Sequence, residues 1–171
     1  MKNKFTILGC GSSLGAPWIT NYMGKLKKNS KNIRTRCCAH IKYGNLSILI
    51  DTSPDIKSQF LKNKINSLDA IIYTHEHADQ TSGIFEMRPF FWKNKKKIPV
   101  YGSKRTINAL ISKYTFCFKP RHGYKPIMET NIIKNKFEVK VNNKKFKITA
   151  FDVIHGMIKA NGFLFNKIAY I

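Results

Sequence analysis

The sequence has 171 residues, of which 43% are hydrophobic and 12% aromatic. A chain of this size and composition can bury a substantial core, which excludes disorder over most of its length. Its apolar runs have the length of strands, and none reaches the roughly 20 residues that a membrane-spanning helix needs. We therefore expect a single domain over residues 1–171, with no membrane association.

The net charge is +22, from 31 Lys and Arg residues against nine Asp and Glu residues. Such an excess favours anionic partners, including nucleic acid. The lysines are scattered rather than gathered in one tract with aromatic residues, so a basic nucleic-acid-binding module is the weakest of the functional alternatives. The four cysteines have no CxxC spacing, which predicts reduced thiols and a cytoplasmic protein.

The first half of the chain alternates strand patterns with one helix pattern. Gly44 and Asn45 stand between two apolar runs and predict a hairpin turn. A helix-start signature with Pro54 near the first turn predicts a helix that opens at residues 51–55. The predicted strands of this half are residues 5–8, 38–43, 46–50 and 68–73.

The second half continues with helices and then with successive strands. Asn142 and Asn143 predict a hairpin turn between two of these strands. Strands with interposed helices favour a layered α/β or α+β fold. The sequence stops inside an apolar strand, so we expect a domain that is incomplete at its C-terminal end. The predicted helices are residues 84–92 and 104–114, and the predicted strands are residues 98–101, 132–133, 137–141, 146–154 and 162–171.

Two histidines and an aspartate follow the predicted buried strand at residues 68–73. His75 and His77 are one residue apart, so their side chains point to the same side of an extended backbone. Both can then bind one metal ion, and Asp79 can bind a second ion or support the first. His155 ends another predicted strand, and three histidines with one open position suit a catalytic Zn²⁺ ion. A pair of surface or capping histidines explains the His-x-His spacing equally well.

Residues 74–79 resemble the T-H-x-H-x-D-H motif of metallo-β-lactamase-fold hydrolases. Together with further segments, they resemble the bacterial branch that contains the phosphoribosyl cyclic phosphodiesterase, a relative of the tRNA 3′-processing endonucleases. The resemblance implies an α/β fold, the αβ/βα sandwich, of which this chain holds the N-terminal portion. The further segments, which fall in the family's order, are residues 9–17, 32–37, 48–55, 83–89, 99–102 and 155–156.

The resemblance also implies roles for individual residues. His75, His77 and His155 match the three histidines of the family's first metal site. Asp79 matches the aspartate that binds the second metal and helps hold the attacking hydroxide, so it is both a metal-ligand and a catalytic candidate. Asp51 matches a buried aspartate that supports the metal site through hydrogen bonds.

Two departures from the family pattern limit what the resemblance implies. Gln80 stands where the family has a second-site histidine, and a neutral amide is a poor ligand for Zn²⁺ or Mn²⁺. The family's bridging aspartate and last histidine ligand would lie beyond Ile171. We therefore expect at most one bound ion, Zn²⁺ or Mn²⁺.

Two main functional interpretations follow from the motif and its departures. The first is a metal-dependent, phosphodiesterase-like hydrolase of a phosphodiester or other small anionic substrate, with the activity of this chain left open. The second is a non-catalytic remnant or one half of a split hydrolase. Its partner would be a complementary C-terminal fragment or a second copy of the chain.

Four other residues have simpler predicted roles. Glu76 is expected to be a solvent-facing carboxylate between the two ligand histidines. Arg88 is expected either to reach a substrate phosphate or to pair with Glu86. His122 is predicted to be a loop residue without a metal role, and His40 a packed or surface imidazole.

Overall fold

A computed structural model describes residues 3–27, 29–141 and 144–171, with the exception of the side chain of Lys144. These residues form two stacked β-sheets. The first sheet contains, in spatial order, β1 (Lys4–Gly9), β2 (Cys38–Tyr43), β3 (Leu46–Ile50), β4 (Ala70–Ile72), β5 (Ile98–Gly102) and β6 (Met128–Ile132). The second contains β7 (Lys136–Val141), β8 (Lys144–His155), β9 (Ile158–Phe165) and β10 (Ile168–Tyr170), each beside the next.

The helices connect strands of the first sheet. Strands β1 to β3 pair antiparallel, whereas β3 to β6 pair parallel. Parallel neighbours need crossover connections, and the helices supply them. The helices are α1 (Ile56–Lys62), α2 (Ala78–Thr81), α3 (Arg88–Asn94), α4 (Lys104–Lys113) and α5 (Thr115–Phe118), and a 3-10 helix (Ile84–Met87) precedes α3. No helix of the described residues is long and apolar enough to cross a membrane.

The first sheet is covered on both faces, so its central strands β3 and β4 are buried at every position. In β3, Leu49 contacts the core shared with the helices, whereas Ile48 and Ile50 contact the core shared with the second sheet. All three side chains are fully buried, as the alternation of side chains along a strand requires. This layering confirms the predicted α/β class and sandwich arrangement.

Most predicted elements agree with the structure, and the hairpin of β2 and β3 has the predicted bounds. The last predicted strand is wrong as a single element, because Asn166 adopts φ 53° and turns the chain between Phe165 and Ile168, which pair. Asparagine tolerates this left-handed conformation better than most residues. The predicted turn at Asn142 and Asn143 lies outside the described residues.

Candidate metal centre

His75 and His77 lie where the chain leaves the first sheet after β4. The amide of Tyr73 still donates to the carbonyl of Tyr101 at 2.8 Å, which extends the pairing of β4 with β5 by one step. Beyond this point the chain passes through the two histidines and enters α2, for which His77 is the extended N-cap residue. Because β4 is a buried parallel strand, its carboxyl end places both imidazoles at the end of the sheet where the carboxyl ends of the parallel strands meet.

His155 comes to the same place from the second sheet. It is the last residue of β8 and pairs with Ile158 across a tight turn, in which Gly156 adopts φ 59°. The amide of Asn161 in β9 donates to the carbonyl of Thr74 at 2.9 Å, which attaches this hairpin to the loop that carries the other two histidines. The three histidines therefore belong to two sheets that are joined by a direct hydrogen bond.

The three imidazoles form a compact cluster. Their nearest ligand nitrogens all lie within 4.8 Å of one another. The ring centroids are 4.6 Å apart for His75 and His77, 4.8 Å for His75 and His155, and 5.2 Å for His77 and His155. His75 is buried, whereas His77 and His155 are exposed, so the cluster opens to solvent on one side.

Asp51 supports His75 through Thr74. The Asp51 carboxylate accepts hydrogen bonds from the Thr74 amide at 2.8 Å and from the Thr74 hydroxyl at 2.9 Å. The hydroxyl has only one proton, so towards His75 Nδ1, 3.0 Å away, it acts as the acceptor. His75 therefore carries its proton on Nδ1 and keeps the lone pair of Nε2 free for an ion.

The charge state of His75 also suits metal binding. Burial, followed by the neighbouring His77 and His155, lowers the pKa of His75 to about 4, so the ring is neutral at physiological pH. Burial raises the pKa of Asp51 to about 7, while the two hydrogen bonds from Thr74 favour its charged form. Three clustered imidazoles, one of them neutral and oriented, fit a divalent ion of the zinc type.

Asp79 and Gln80 lie at the start of α2, next to the cluster. The half-buried Asp79 is close enough for its charge to act on His75 and Asp51, but it is not one of the clustered ligands. The side chain of Gln80 is buried, and its Oε1 has no hydrogen-bond partner among the residues that the structure describes. A buried amide oxygen without a partner is costly, so Gln80 is an anomaly beside the site.

Glu76 does not face solvent, and the prediction for this residue is wrong. Its carboxylate accepts hydrogen bonds from Arg105 Nε at 2.7 Å and from the Thr106 hydroxyl at 3.3 Å, both in α4. Lys113 donates to the carbonyl of Glu76 at 2.7 Å. Burial alone would raise the pKa of Glu76. The hydrogen bonds, of which the one from Arg105 has the largest effect, instead lower this pKa below its usual range. The loop with His75 and His77 is therefore braced against α4.

A basic groove lies beside His155. It has a volume of about 490 Å³ and is lined by Lys104, Arg105 and Lys159 together with the turn after β8. Asp152 also lines it and pairs with Lys159 at 3.0 Å. Arg105 is paired with Glu76, so Lys104 is the cation of this lining that has no ion pair among the described residues, and it favours an anionic ligand at this entrance.

The remaining histidines lie apart from the cluster. His40 is buried in β2, and its Nε2 lies 2.8 Å from the Ser47 hydroxyl. His122 is exposed in a turn, where it adopts φ 47°. The sequence interpretation missed the intermediary Thr74 and the brace from α4. Only the position of Thr74 directly before His75 signalled a role, whereas nothing local marks Arg105 or Lys113.

The two-sheet fold and the three clustered histidines define the class of the protein. Residues 47–171 match the family described as the beta-lactamase superfamily domain, which is most of the chain. The chain belongs to this family, and its fold is that of the metallo-β-lactamase-type hydrolases.

Individual proteins show how far the likeness extends. A diphosphatase of the PhnP family matches with a TM-score of 0.84 and 26% identity, over 99% of this chain and 65% of that one. Human tRNase Z, short form, has a TM-score of 0.62 and 17% identity over 95% and 64% of the two chains. Zn²⁺-bound PqqB of Methylobacterium extorquens has a TM-score of 0.68 and 14% identity over 98% and 61%. At these lower identities, the last two show the fold alone.

A curated relative differs greatly in length. An octanoyltransferase of Porphyromonas gingivalis is 26% identical over 170 residues, which is 96% of this chain but 33% of that protein. The chain thus spans about a third of this relative and less than two thirds of the solved structures above.

Proposed function

We propose that this protein is a metal-dependent hydrolase that cleaves a phosphodiester or related phosphate bond in a small anionic substrate. The observation that carries this proposal is the set of three histidines whose ligand nitrogens lie within 4.8 Å of one another. The likeness to a diphosphatase at 26% identity supports phosphate chemistry. The basic groove beside His155 supports a substrate of negative charge.

His75, His77 and His155 would hold one ion, Zn²⁺ or Mn²⁺. When bound, such an ion supplies Lewis acidity, which polarises a phosphoryl oxygen and makes water a nucleophile at neutral pH. Three imidazoles favour zinc over the harder manganese ion. The chain's own residues keep the site ready, because Thr74 and Asp51 hold His75 in the tautomer that leaves Nε2 free.

We assign to Asp79 the role of orienting the attacking water. Asp79 is half-buried, and its carboxylate is close enough to the histidine cluster for its charge to act on His75. A carboxylate there accepts a hydrogen bond from water and fixes its lone pair towards phosphorus. Lys104 and Arg105, which line the groove beside His155, would hold the phosphate charge. The four free cysteines suit a reducing, cytoplasmic environment.

The test is the metal content of the purified 171-residue chain, measured by elemental mass spectrometry. We expect about one ion per chain, lost in His155→Ala and retained in His122→Ala, which removes an exposed histidine outside the cluster. Hydrolysis of bis(p-nitrophenyl) phosphate should depend on that ion and disappear in His77→Ala. Turnover that survives both His77→Ala and His155→Ala would overturn the proposal.

A second candidate is a non-catalytic metal-binding remnant, or one half of a split hydrolase that needs a complementary fragment or a second copy. Gln80 favours it, because a neutral amide with an unpartnered Oε1 occupies the place of a second-site histidine. This candidate predicts the same metal content without turnover. If Gln80→His restores hydrolysis in a chain that binds metal but is inactive, the remnant interpretation is correct.

A further inference from the structure

A second cavity, of about 650 Å³, lies outside the histidine cluster and is rich in aromatic rings. Phe85 and Trp92 line it from the 3-10 helix and α3, whereas Phe116 and Tyr124 line it from α5 and the turn that follows. These four side chains are between 41% and 68% exposed. Monomeric proteins rarely expose a large contiguous apolar surface, so exposed aromatic rings that face one cavity indicate a binding surface.

Arg88 lies among these rings. Its guanidinium carbon is 4.5 Å from the centroid of the Phe85 ring and 4.6 Å from that of Trp92. Of the two predicted roles of Arg88, the pair with Glu86 does not form, and Arg88 has no ion pair among the residues that the structure describes. Lys125 is a second cation at the cavity, and none of the described carboxylates lines it. The cavity thus combines aromatic faces with uncompensated positive charge.

The rim at Tyr124 is held in place by backbone hydrogen bonds. Arg121 and Tyr124 pair across a turn in which His122 adopts φ 47° and Gly123 φ 82°. The amide of Ile127 then donates to the carbonyl of Cys117 at 3.0 Å, which ties the segment to α5. The aromatic wall is therefore part of the folded structure.

We propose that this cavity binds a nucleotide, either free or as one residue of a single-stranded nucleic acid. A planar nucleobase stacks on aromatic rings and on a guanidinium plane, and its phosphate pairs with Arg88 and Lys125. An apolar peptide would leave both cations unpaired. The net charge of +22 raises the local concentration of such anions. The proposal concerns binding alone and does not depend on hydrolysis or on a metal.

Trp92 is a natural reporter for this cavity. The chain has two tryptophans, and Trp18 lies elsewhere, 4.8 Å from the ring of Tyr22. In a Trp18→Phe background, fluorescence reports on Trp92 alone. Titrations would use adenosine monophosphate, adenosine, inorganic phosphate and hexa-adenylate at constant ionic strength. We expect saturable quenching by the monophosphate, weaker quenching by adenosine and none by phosphate.

Two variants test the contacts, and a third variant with a charge removed outside the cavity is the control. Tyr124→Ala and Arg88→Gln should each raise the Kd for the monophosphate about 5-fold or more, the usual effect of losing one stacking partner. Lys57→Gln, an exposed charge on α1 outside the cavity, should leave the Kd within about 2-fold, since only the net charge changes. Circular dichroism would verify that the variants fold.

The remaining outcomes distinguish the two sources of nucleotide or reject the proposal. Much tighter binding of hexa-adenylate with a steep salt dependence identifies single-stranded nucleic acid, whereas equal affinities identify a free nucleotide. No saturable quenching by either ligand overturns the proposal. So does a loss of affinity in Lys57→Gln that equals the loss in Arg88→Gln, because the binding would then be a general effect of charge.

Discussion

The position of Asp51 requires both a residue that tolerates a left-handed backbone and a side chain that accepts two hydrogen bonds. It adopts φ 61°, a left-handed conformation that Asp, Asn and Gly tolerate better than other residues. Its amide donates to the carbonyl of Ile72 at 2.9 Å, while its carboxylate accepts both hydrogen bonds from Thr74. The carboxylate sets the direction of the Thr74 hydroxyl proton and hence the tautomer of His75.

We predict that Asp51→Asn weakens zinc binding about 10- to 100-fold while the chain still folds. Asparagine keeps the left-handed backbone, but its NH₂ group donates to the Thr74 hydroxyl. The hydroxyl proton then turns towards His75 Nδ1 and forces the imidazole proton onto Nε2. Competition with a chromophoric chelator would measure the affinity. Asp152→Asn, whose carboxylate bonds Lys159 at the surface, is the control, and equal affinities in the two variants would contradict this account.

His40 carries a pH-dependent part of the stability. The Ser47 hydroxyl donates to the carbonyl of Ser67, so it accepts from His40 Nε2. Burial, together with the charges of Lys42 and Lys4, lowers the pKa of His40 to about 4, below the usual histidine value of 6.5. The unfolded chain therefore binds a proton that the folded chain does not bind between these values. Stability is lost as the pH falls through this window.

Between pH 7 and pH 5, this difference in pKa is worth about 2 kcal/mol of the free energy of unfolding. The variant His40→Gln keeps a donor for Ser47 but does not titrate. Between pH 7 and pH 5, we expect its free energy of unfolding to fall by about 2 kcal/mol less than that of the wild type. Urea unfolding at both pH values measures the difference, in which contributions from other groups such as His75 and Asp51 cancel. A parallel decline of the two proteins would show that His40 is not responsible.

At the scale of elements, the sequence predicts what local patterns determine. The bounds of β2 and β3 follow from two apolar runs around Gly44 and Asn45. Local patterns fail where a contact joins distant elements, as between Glu76 and Arg105, which are 29 residues apart. In the sequence, Glu76 has the features of a surface residue, and only its contact with α4 in the folded chain makes it buried. The approach of His155 to His75 is likewise invisible in the spacing. The end of a predicted strand made His155 a candidate third ligand, and the family resemblance then matched it to the metal site.

At the scale of the whole molecule, the core between the two sheets holds the second sheet in place. Phe163 in β9 is fully buried there, with its ring 6.3 Å from that of Phe137. The next residue, Leu164, points to the opposite face and is 41% exposed. Adjacent residues of one strand thus offer a direct comparison between the inner and outer faces of the sheet.

We predict that Phe163→Ala lowers the free energy of unfolding by about 3–5 kcal/mol, because it leaves a large cavity between the sheets. Leu164→Ala should cost about 1 kcal/mol or less, since the removed atoms are largely in water already. Denaturant unfolding of both variants provides the comparison. Similar costs for the two substitutions would mean that the sheets do not share a tightly packed core.

The hydrogen bond between Asn161 and Thr74 marks the place where the hairpin of β8 and β9 meets the first sheet. Because His155 is on that hairpin and His75 and His77 are on the other side, an ion bound to all three would also be a cross-link between the halves of the sandwich. The free energy of metal binding would then stabilise the contact between this hairpin and the first sheet. The supply of metal in the cell would thus govern how long the protein survives proteolysis.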